Sequence, residues 1–309
     1  MEKIYRVYQV DAFTRARFTG NPAGVVPDAD GLSEAQMQAI ARELHNSETA
    51  FILRPEADDH DVRVRFFTPT TEVPICGHAT IAAHYVRAIE GSAPRGTVRQ
   101  LTGAGVLQVD IEPTDGDDFR IWMHQRPPTF GPVLTKAVRH ALIAALAIDE
   151  QDLGQGPIEI VSTGHSKVMV PLRSRTVLDQ LEPDLSALAA LSRDIGCNGY
   201  HLFTLADPDP DPAPGVLAHA RMFAPAIGIP EDPVTGNGNG PLGAYLVRHR
   251  LVSLVSGQGV FSCTMRQGEA MGRAGEVKVE ITIDPGALMP SAVRIGGEAV
   301  VVFRTELRL

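Results

Sequence analysis

The sequence predicts an α+β protein built from two similar halves, and three observations support this fold class. A turn of the form Glu-x-Pro-aliphatic-x-Gly occurs twice, as EVPICGHAT at residues 72–80 and as EDPVTGNGN at residues 231–239. Ahead of each turn stands a strand-like stretch, RFFTP at 65–69 and RMFAP at 221–225. A helix-like run rich in small residues follows each turn. Because these matches occur in the same order, two structurally similar halves are expected.

In the first half, side-chain periodicity predicts each element in turn. Alternation predicts strands at 4–10 and 62–67, and a short apolar run predicts a buried strand at 49–53. Ser33 and Gln36 form a capping-box start for a helix. The apolar face of that helix comprises Met37, Ile40, Ala41 and Leu44. The other elements predicted here are a helix at 79–90, apolar nearly all round, and strands at 105–112 and 118–124.

Turn and breaker residues at 113–118 and 126–132 place the middle boundary of the chain. We therefore expect an N-terminal lobe at 1–115 and a C-terminal lobe at 116–290. The elements predicted in the second lobe are helices at 135–146, 175–194 and 242–249 and strands at 158–162, 167–172, 259–265 and 276–283, and a further strand is predicted after it at 298–307. The Pro/Asp segment at 206–215 cannot join a sheet and is predicted to be a surface loop.

The amino-acid composition excludes several classes of binding partner. The chain has 28 basic and 37 acidic residues, a net charge of −9, and no basic run that would bind nucleic acid or anionic lipid. It shows neither a signal-peptide pattern nor an apolar stretch of about 18 residues, so no membrane partner is expected. Its three sparse cysteines are typical of the reducing cytoplasm. They contain no C-x-x-C pair, and the histidines show no H-x-x-x-H spacing, so no metal site is predicted.

The repeated turn has a physical consequence. Proline ends the strand, glycine permits close backbone approach, and the following helix begins with unpaired N–H groups at the positive end of its dipole. Such an end binds carboxylate or phosphate groups. If the two halves face each other, both helix ends would meet a small anionic metabolite in one cleft. The alternative is that both turns only connect a strand to a helix.

Four stretches occur in order over nearly the whole chain: VDAFTRARFTGNPAGVV, HNSETAF, RFFTPTTEVPICGHAT and RMFAPAIGIPEDPVTGNGNG. Together they resemble the PhzF family of phenazine-biosynthesis-type isomerases, and more closely its YddE-like branch. The resemblance implies a diaminopimelate-epimerase-like fold, with two pseudo-symmetric lobes. Each lobe would be a β-barrel-like mixed sheet wrapped around a central helix, at 79–90 and 238–249. The C-terminal segment 291–309 would return to the first lobe.

The resemblance also implies the acid/base residues. The catalytic glutamate of an S-E-T stretch is Glu48 here, the histidine of C-G-H-A is His78, and the aspartate of E-D-P-x-T-G is Asp232. A fourth family position, commonly Ser, is Asn237 in this chain, which puts the identity of the substrate in doubt more than the type of reaction. The related epimerases use two cysteines as bases on the paired turns.

Cys76 occupies the first of those cysteine positions, but the second is Thr235, so a two-thiol mechanism is not available. The Cys76 thiolate would be favoured at a helix N-terminus. Neighbours in sequence at such a turn usually point apart, however, so we expect no Cys76–His78 pair. The residues expected to bind substrate are Asn21, Cys76, Gly77, Thr235, Gly236 and Asn237.

Each acid/base candidate also has a structural interpretation. Glu48 precedes the apolar run TAFIL, where lost hydration would suit it to proton transfer, but it would equally well reach solvent or pair with an arginine. Asp232 precedes a proline, where aspartate commonly starts a turn. His78 stands at a helix start and would either face the cleft as a proton relay or cap the helix. His84, within the apolar helix, is expected to be a core or partner-facing histidine.

The sequence and the resemblance together predict a cofactor-independent isomerase that moves a proton between carbons of a small carboxylated substrate. Glu48 would remove and return the proton, with Asp232 and His78 assisting, in a site between the two lobes. Two alternatives remain: an amino-acid racemase or epimerase that uses Cys76, and a non-catalytic protein that binds a small molecule. The family also implies a possible homodimer.

Overall fold

The computed structural model describes residues 3–93, 95–116, 118–205, 215–254 and 259–309. It divides into two compact units, Met1–His124 with Gly296–Leu309, and Gln125–Ile295. The loop predicted at 206–215 lies outside the described residues except for residue 215. Among the described helices, none has the length and apolar character needed to cross a membrane.

The regular elements are numbered in chain order. The strands are β1 (Ile4–Ala12), β2 (Asn21–Val26), β3 (Thr49–Leu53), β4 (Val62–Phe67), β5 (Glu72–Val73), β6 (Gly96–Thr102), β7 (Gly105–Pro113), β8 (Phe119–His124), β9 (Thr129–Val133), β10 (Glu159–Ser162), β11 (Ser166–Pro171), β12 (Tyr200–Leu205), β13 (Val216–Ala224), β14 (Ile229–Asp232), β15 (Val260–Gln267), β16 (Gly275–Ile283), β17 (Pro290–Gly297) and β18 (Ala299–Arg308). The helices are α1 (Glu34–Leu44), α2 (Gly77–Ile89), α3 (Lys136–Leu146), α4 (Arg175–Asp179), α5 (Leu185–Ile195) and α6 (Gly236–Arg248).

The first unit is a mixed sheet around α2. Its strands pair in the order β18–β1–β2–β3–β4–β6–β7–β8, with the short β5 added to β4. The pairs β2–β3 and β4–β6 are parallel and the others are antiparallel. Helix α2 contacts strands from both ends of this order, including β1, β8 and β18. Nearly every residue of α2 is buried, as its apolar composition predicts.

The second unit repeats this connectivity around α6. Its strands pair in the order β9–β10–β11–β12–β13–β15–β16, with the short β14 added to β13. The parallel pairs are β11–β12 and β13–β15, so the alternation of parallel and antiparallel pairs matches that of the first unit. Helices α3 and α5 pack on the outer face of the sheet with an apolar cluster that includes Val168, Val170 and Leu202.

Several local predictions are confirmed. Ser33 and Gln36 form both hydrogen bonds of the capping box at the start of α1, whose buried residues are Met37, Ile40 and Ala41. Strand β18 pairs with β1 along its whole length, and residues 296–309 belong to the first unit, whereas 291–295, also expected there, belong to the second. The unit boundary at 124/125 differs from the predicted 115/116 because β8 pairs with β7 inside the first unit.

Other local predictions were wrong or incomplete. Strand β9 overlaps the segment 126–132, which breaker residues had marked as a turn, and it pairs with β10. The helical zone 175–194 contains two helices, α4 and α5, rather than one. The strands that were not predicted are β2, β5, β6, β12, β14 and β17.

Helix α6 begins at Gly236, six residues ahead of the predicted start at 242, so the GNGNG run is helical. Glycine disfavours a helix interior, and the tertiary contacts explain why this one forms. A Cβ at Gly238 would overlap the ring of His201, and a Cβ at Gly243 would lie 2.6 Å from Val279 Cγ1. Glycine here permits the close approach of the enclosed helix to its sheet.

Candidate active site

The N-terminal end of α2 is open. Cys76, the N-cap residue, is extended (φ −145°, ψ 124°), and its side chain makes no capping hydrogen bond. The first bonded N–H is that of Thr80, which donates to the Cys76 carbonyl oxygen at 3.1 Å. Within the described part of the chain, the N–H groups of Gly77, His78 and Ala79 have no acceptor. A Cβ on Gly77 would have no heavy atom within 4 Å, so this polarised helix end is accessible to a ligand.

His78 connects three polar side chains at this helix end. Its Nε2 lies 3.4 Å from Glu48 Oε2 and 3.3 Å from Ser47 Oγ, and its Nδ1 lies 3.4 Å from Cys76 Sγ. The expectation that Cys76 and His78 point apart was therefore wrong. The extended N-cap residue directs its Sγ over the first turn, where it meets the imidazole.

Glu48 is held at the start of β3, where its carbonyl oxygen accepts a hydrogen bond from the Gly24 N–H of β2 at 3.3 Å. Its side chain is 13% exposed, and that of His78 is 7% exposed. Catalytic hydrogen bonds are often long until substrate binds. A half-buried carboxylate beside an imidazole is an arrangement that suits general acid/base chemistry.

The same groups form a possible set of metal ligands. One donor atom each from Glu48, Cys76 and His78 lies within 4.8 Å of the others. Carboxylate oxygen, thiolate sulfur and imidazole nitrogen are the ligand types that zinc uses. The sequence motifs did not reveal this group because Glu48 is distant from the other two along the chain. The predicted absence of a metal site stays a prediction.

The N-terminal end of α6 has the same backbone form. Its N-cap residue Thr235 is extended (φ −133°, ψ 124°), without a capping side-chain hydrogen bond. Within the described residues, the N–H groups of Gly236 and Asn237 have no acceptor. Unlike Gly77, Gly236 is crowded, since a Cβ there would lie 2.7 Å from Ile295 Cδ1.

Gln267 fixes the turn that carries Asp232, the last residue of β14. Its fully buried side chain donates from Nε2 to the Asp232 carbonyl oxygen at 2.7 Å. Its Oε1 accepts from the Thr235 N–H at 3.2 Å and from Asn239 Nδ2 at 2.8 Å. Sequence reasoning missed Gln267, since a single glutamine at a strand end carries no local signal.

Asn237 is also positioned by a glutamine. Gln125 Nε2 donates to the Gly236 carbonyl oxygen at 3.1 Å and lies 3.4 Å from Asn237 Oδ1. Gln125 Oε1 in turn accepts from Thr163 Oγ1 at 2.8 Å. The side chain at the position where the family commonly has Ser is therefore anchored inside the second unit.

Asn21 is the first residue of β2 and is almost fully buried. It lies opposite Ala12 in the ladder with β1. The preceding Gly20 has φ +64°, and a Cβ there would overlap the Ala12 carbonyl oxygen, so only glycine fits this approach to Asn21.

Each unit has its own arginine–glutamate ion pair, called a brace here, ahead of its central helix. Arg65 donates to both carboxylate oxygens of Glu72, at 2.8 and 2.6 Å, and Arg221 to both of Glu231, at 2.8 and 2.9 Å. Each guanidinium lies 5.0 Å from the ring centroid of the phenylalanine two residues later. The brace ties each short strand, β5 or β14, to its neighbour and so positions the repeated turn.

His84 is a core residue, one of the two interpretations that its sequence position left open. It is fully buried, and its Nε2 lies 2.6 Å from Gln100 Oε1. Burial, with a smaller contribution from the nearby Arg87 charge and against the opposing effect of Gln100, lowers the pKa of His84 to about 3. The imidazole is therefore neutral at physiological pH.

The model of the phenazine biosynthesis-like protein family, PhzC-PhzF, matches residues 10–305. The chain belongs to this family. It is 51% identical over 310 residues to an uncharacterized isomerase of Clostridium acetobutylicum, with 100% of both chains covered. It is also 51% identical over 302 residues to the uncharacterized isomerase YddE of Escherichia coli, with 97% of both covered. The predicted PhzF-family membership and its YddE-like branch are confirmed.

A more distant relative carries a substrate in its name. The trans-2,3-dihydro-3-hydroxyanthranilate isomerase of Pseudomonas aeruginosa is 34% identical over 249 residues, 81% of this chain and 82% of that one. The sequence predicted an isomerase, and these PhzF-family relatives are named isomerases.

Solved structures confirm the fold class. A PhzF-family protein of Bacillus anthracis aligns over 99% of both chains with a TM-score of 0.85 and 31% identity. A hydroxyproline epimerase of Agrobacterium vitis, solved with bound trans-4-hydroxy-L-proline, aligns over 100% of this chain and 94% of that one. With a TM-score of 0.62 and 15% identity, the epimerase shows the shared fold alone.

Proposed function

We propose that this PhzF-family protein is a cofactor-independent isomerase that moves a proton between two carbons of a small carboxylated substrate. The observation that carries the proposal is the cluster at the open end of α2, where Glu48, His78 and Cys76 surround unpaired helix N–H groups. A carboxylate and an imidazole in this position are suited to remove and hold a proton. The isomerase names of the relatives support the same class of reaction.

In this mechanism Glu48 takes a proton from a carbon that is activated by conjugation. The electron pair left on that carbon shifts along the conjugated system, and a second carbon accepts the proton from Glu48. His78, 3.4 Å from Glu48, holds or relays the proton between these steps. The unpaired N–H groups of α2 stabilise negative charge on a substrate oxygen. For Asp232 the proposal keeps the assisting role that the family resemblance implies.

The substrate class follows from the relatives. One relative, 34% identical, is named for trans-2,3-dihydro-3-hydroxyanthranilate. This compound is a small ring-bearing amino carboxylate. We take this chain's substrate to be of that class.

Three further expectations belong to this proposal. The matching sheet connectivity and the repeated arginine–glutamate brace support an origin by internal duplication. All three cysteines are thiols, which fits the reducing cytoplasm. A homodimer is proposed from the family resemblance alone.

A second candidate is an epimerase that uses Cys76 as a base. The 3.4 Å contact between Cys76 Sγ and His78 Nδ1 favours it, because the imidazole can accept the thiol proton. Thr235, the N-cap residue of α6, has no thiol and weakens this candidate. A third candidate is a protein that binds a small molecule without catalysis.

The test is proton exchange in deuterated water, followed by NMR. Trans-2,3-dihydro-3-hydroxyanthranilate and trans-4-hydroxy-L-proline are incubated with wild type, Glu48→Gln and the exposed control Glu43→Gln. Wild type and the control exchange a C–H of trans-2,3-dihydro-3-hydroxyanthranilate and shift its double bond, whereas Glu48→Gln slows this exchange by about 10³-fold. Asp232→Asn is expected to reduce it by about 10²-fold.

The alternatives give different results. Labelling and inversion of one stereocentre, lost in Cys76→Ser and kept in Glu48→Gln, would establish the epimerase. Binding of either compound without exchange by wild type would establish a binding protein. Exchange that survives in Glu48→Gln at the wild-type rate contradicts the proposed role of Glu48.

A further inference from the structure

Lys167, on β11, is a buried cation with almost no partner. The residue is only 2% exposed. Its Nζ has one hydrogen-bond acceptor, the Ser166 carbonyl oxygen, at the long distance of 3.4 Å. It forms no ion pair with any residue that the structure describes. The Asp232 charge acts on Lys167 without an ion pair, and a buried ammonium that is not paired costs several kcal/mol, so its presence needs an explanation outside the packing of the fold.

The side chain of Lys167 points to the face of the sheet that α6 covers. Its neighbour Val168 belongs to the apolar cluster on the opposite, outer face, and successive strand residues alternate between faces. Met169, two residues along and thus on the same face as Lys167, pairs with His201 of β12. The His201 ring fills the space where Gly238 of α6 would carry a Cβ. That face therefore meets the first turn of α6.

The two ends of β11 face different parts of α6. At the carboxyl end, Pro171 pairs with Phe203, whose ring lies 5.6 Å from that of Tyr245 in the second half of the helix. Lys167 is at the opposite, amino end of β11. Its side chain therefore lies on the side of the first helical turn, where the N–H groups of Gly236 and Asn237 have no acceptor within the described residues.

Charges of both signs act on Lys167 and on its neighbour His165. Burial lowers the pKa of Lys167 to about 8, although Asp232 and Cys197 oppose the shift. Burial is also the main cause that lowers the pKa of His165, and the charges of Lys167 and Arg126 add to it. Asp232, on β14, is therefore a carboxylate that acts on Lys167 without forming an ion pair with it.

The remaining titratable groups on this face are already engaged or neutral. Glu159 of β10, on the same face, binds His249 at 2.5 Å. Burial, opposed by Asn239 and assisted by the Lys167 charge, lowers the pKa of His201 to about 3, so the ring is uncharged. Neither group is available to neutralise Lys167.

The fold itself does not require a lysine at this place. The stretch STGHSKVMV at 162–170 echoes FTGNPAGVV at 18–26, and the two strands involved, β11 and β2, hold the same place in the two sheets. In that alignment Lys167 corresponds to Ala23, which is fully buried. A small apolar residue therefore satisfies the same position in the first unit.

We propose that Lys167 binds a carboxylate of a small organic ligand together with the unpaired N–H groups of Gly236 and Asn237 at the start of α6. The inference rests on the proposed function only in taking this ligand to be the substrate. An ammonium and a helix N-terminus both attract a carboxylate, and in a buried setting a charge-assisted hydrogen bond is strong.

Anthranilate serves as the probe, with 2-aminobenzamide as its uncharged analogue. The proteins are wild type, Lys167→Met, Lys167→Arg and the exposed control Lys136→Met. Binding is measured by calorimetry, and the Lys167 Cε resonance is followed by NMR in lysine-labelled protein, assigned from its loss in Lys167→Met. Thermal unfolding is recorded for every variant.

We expect anthranilate to shift the Lys167 resonance and 2-aminobenzamide to leave it in place. Lys167→Met weakens anthranilate binding about 30-fold or more, Lys167→Arg restores part of the loss, and Lys136→Met has no effect. The affinity of wild type for anthranilate declines as the pH rises through about 8, because the Lys167 ammonium loses its proton. This decline is absent in Lys167→Met. The melting temperature of Lys167→Met is equal to that of wild type or higher, since an unpaired buried charge has been removed.

Several outcomes overturn the inference. One is a Lys167 resonance that no concentration of anthranilate shifts. Another is equal anthranilate affinity in wild type and Lys167→Met. A lower melting temperature of Lys167→Met with unchanged affinity would make Lys167 a structural partner of Asp232. None of these results depends on proton exchange. The isomerase proposal can therefore fail while the carboxylate site is supported, and the carboxylate site can fail while the isomerase proposal is supported.

Discussion

The N-terminal ends of α2 and α6 have the same backbone conformation but are surrounded by different side chains. Both helices begin after an extended N-cap residue that makes no capping side-chain bond, and both leave N–H groups unpaired among the described residues. Around α2 the nearby groups are titratable: Glu48, His78 and Cys76. Around α6 they are mainly amides that lock the turn, with the buried Lys167 beside them.

Under the two proposals above, one supersecondary structure would serve two purposes. The first unit would use the titratable groups at the start of α2 for proton transfer. The second unit would bind the ligand carboxylate with Lys167 and the N–H groups at the start of α6, next to the assisting Asp232. Three pairs of matched substitutions would break or sharpen the comparison.

The largest expected effect concerns the arginine–glutamate braces. Arg221 and Glu231 have side chains only 10% and 16% exposed, and Arg221 Nη1 also donates to the Leu178 and Leu181 carbonyl oxygens. Glu231→Ala leaves that buried guanidinium without its carboxylate. We expect a loss of about 3 kcal/mol in the free energy of unfolding, measured by urea denaturation.

The matched change in the first unit is Glu72→Ala. Arg65 has a second carboxylate partner, Glu34, at 2.8 Å, and the Glu72 side chain is 38% exposed. The expected loss is therefore only about 1 kcal/mol. Equal losses for Glu231→Ala and Glu72→Ala would show that the two braces have the same energetic weight, against the comparison drawn here.

A smaller effect concerns acid stability. Burial lowers the pKa of both His84 and His201 to about 3, whereas in the unfolded chain each imidazole gains a proton near pH 6.5. The unfolded chain thus binds more protons than the folded one between these values. The stability held above pH 6.5 is lost as the pH falls toward 3, by about 2 kcal/mol per histidine between pH 6.5 and 5.

Substitution by leucine separates the two histidines. His84→Leu and His201→Leu both reduce the slope of unfolding free energy against pH in this range. At pH 8 only His84→Leu costs stability, because it removes the 2.6 Å hydrogen bond to Gln100. Neither ring nitrogen of His201 has a hydrogen-bond partner within the described chain. An unchanged acid slope in both variants would contradict neutral burial of these rings.

The smallest effect concerns the two N1 glycines. Gly77→Ala meets no atom within 4 Å, so we expect stability to be kept or raised by less than about 1 kcal/mol, with lower turnover because the methyl group covers the ligand-facing N–H groups. Gly236→Ala meets Ile295 and is expected to cost about 1 kcal/mol. Thermal unfolding and proton-exchange rates check both; full turnover in Gly77→Ala would argue against ligand binding at that helix end.

Local patterns explain which elements the sequence predicted well. The capping box of α1 depends on two side chains three residues apart, and both bonds form as expected. The strands β3 and β4 were visible as apolar or alternating runs. The start of α6 was missed because glycine-rich segments lack helix propensity, and only the close packing of Gly238 and Gly243 on their neighbours makes glycine favourable there.

The residues of the candidate site also fall into those that the sequence indicated and those that it did not. Glu48, His78 and Asp232 stood in recognisable motifs, so the resemblance indicated them. The Cys76–His78 contact contradicted a local expectation, because the direction of an N-cap side chain depends on the φ and ψ angles of the turn. Gln267 and Gln125 were not found, since each acts on residues far away along the chain.

By itself, the sequence determined the PhzF family, the duplicated α+β plan and the positions of the turns, because these depend on motifs and on the spacing of apolar residues. Only the tertiary structure decided that Cys76 meets His78 and that Gln267 holds the Asp232 turn. It also decided that Lys167 is buried on the inner face of β11, opposite the outer apolar cluster. The direction of the Cys76 side chain depends on the backbone angles of its turn. The other two relations depend on how the strands pair, which no local pattern along a single strand records.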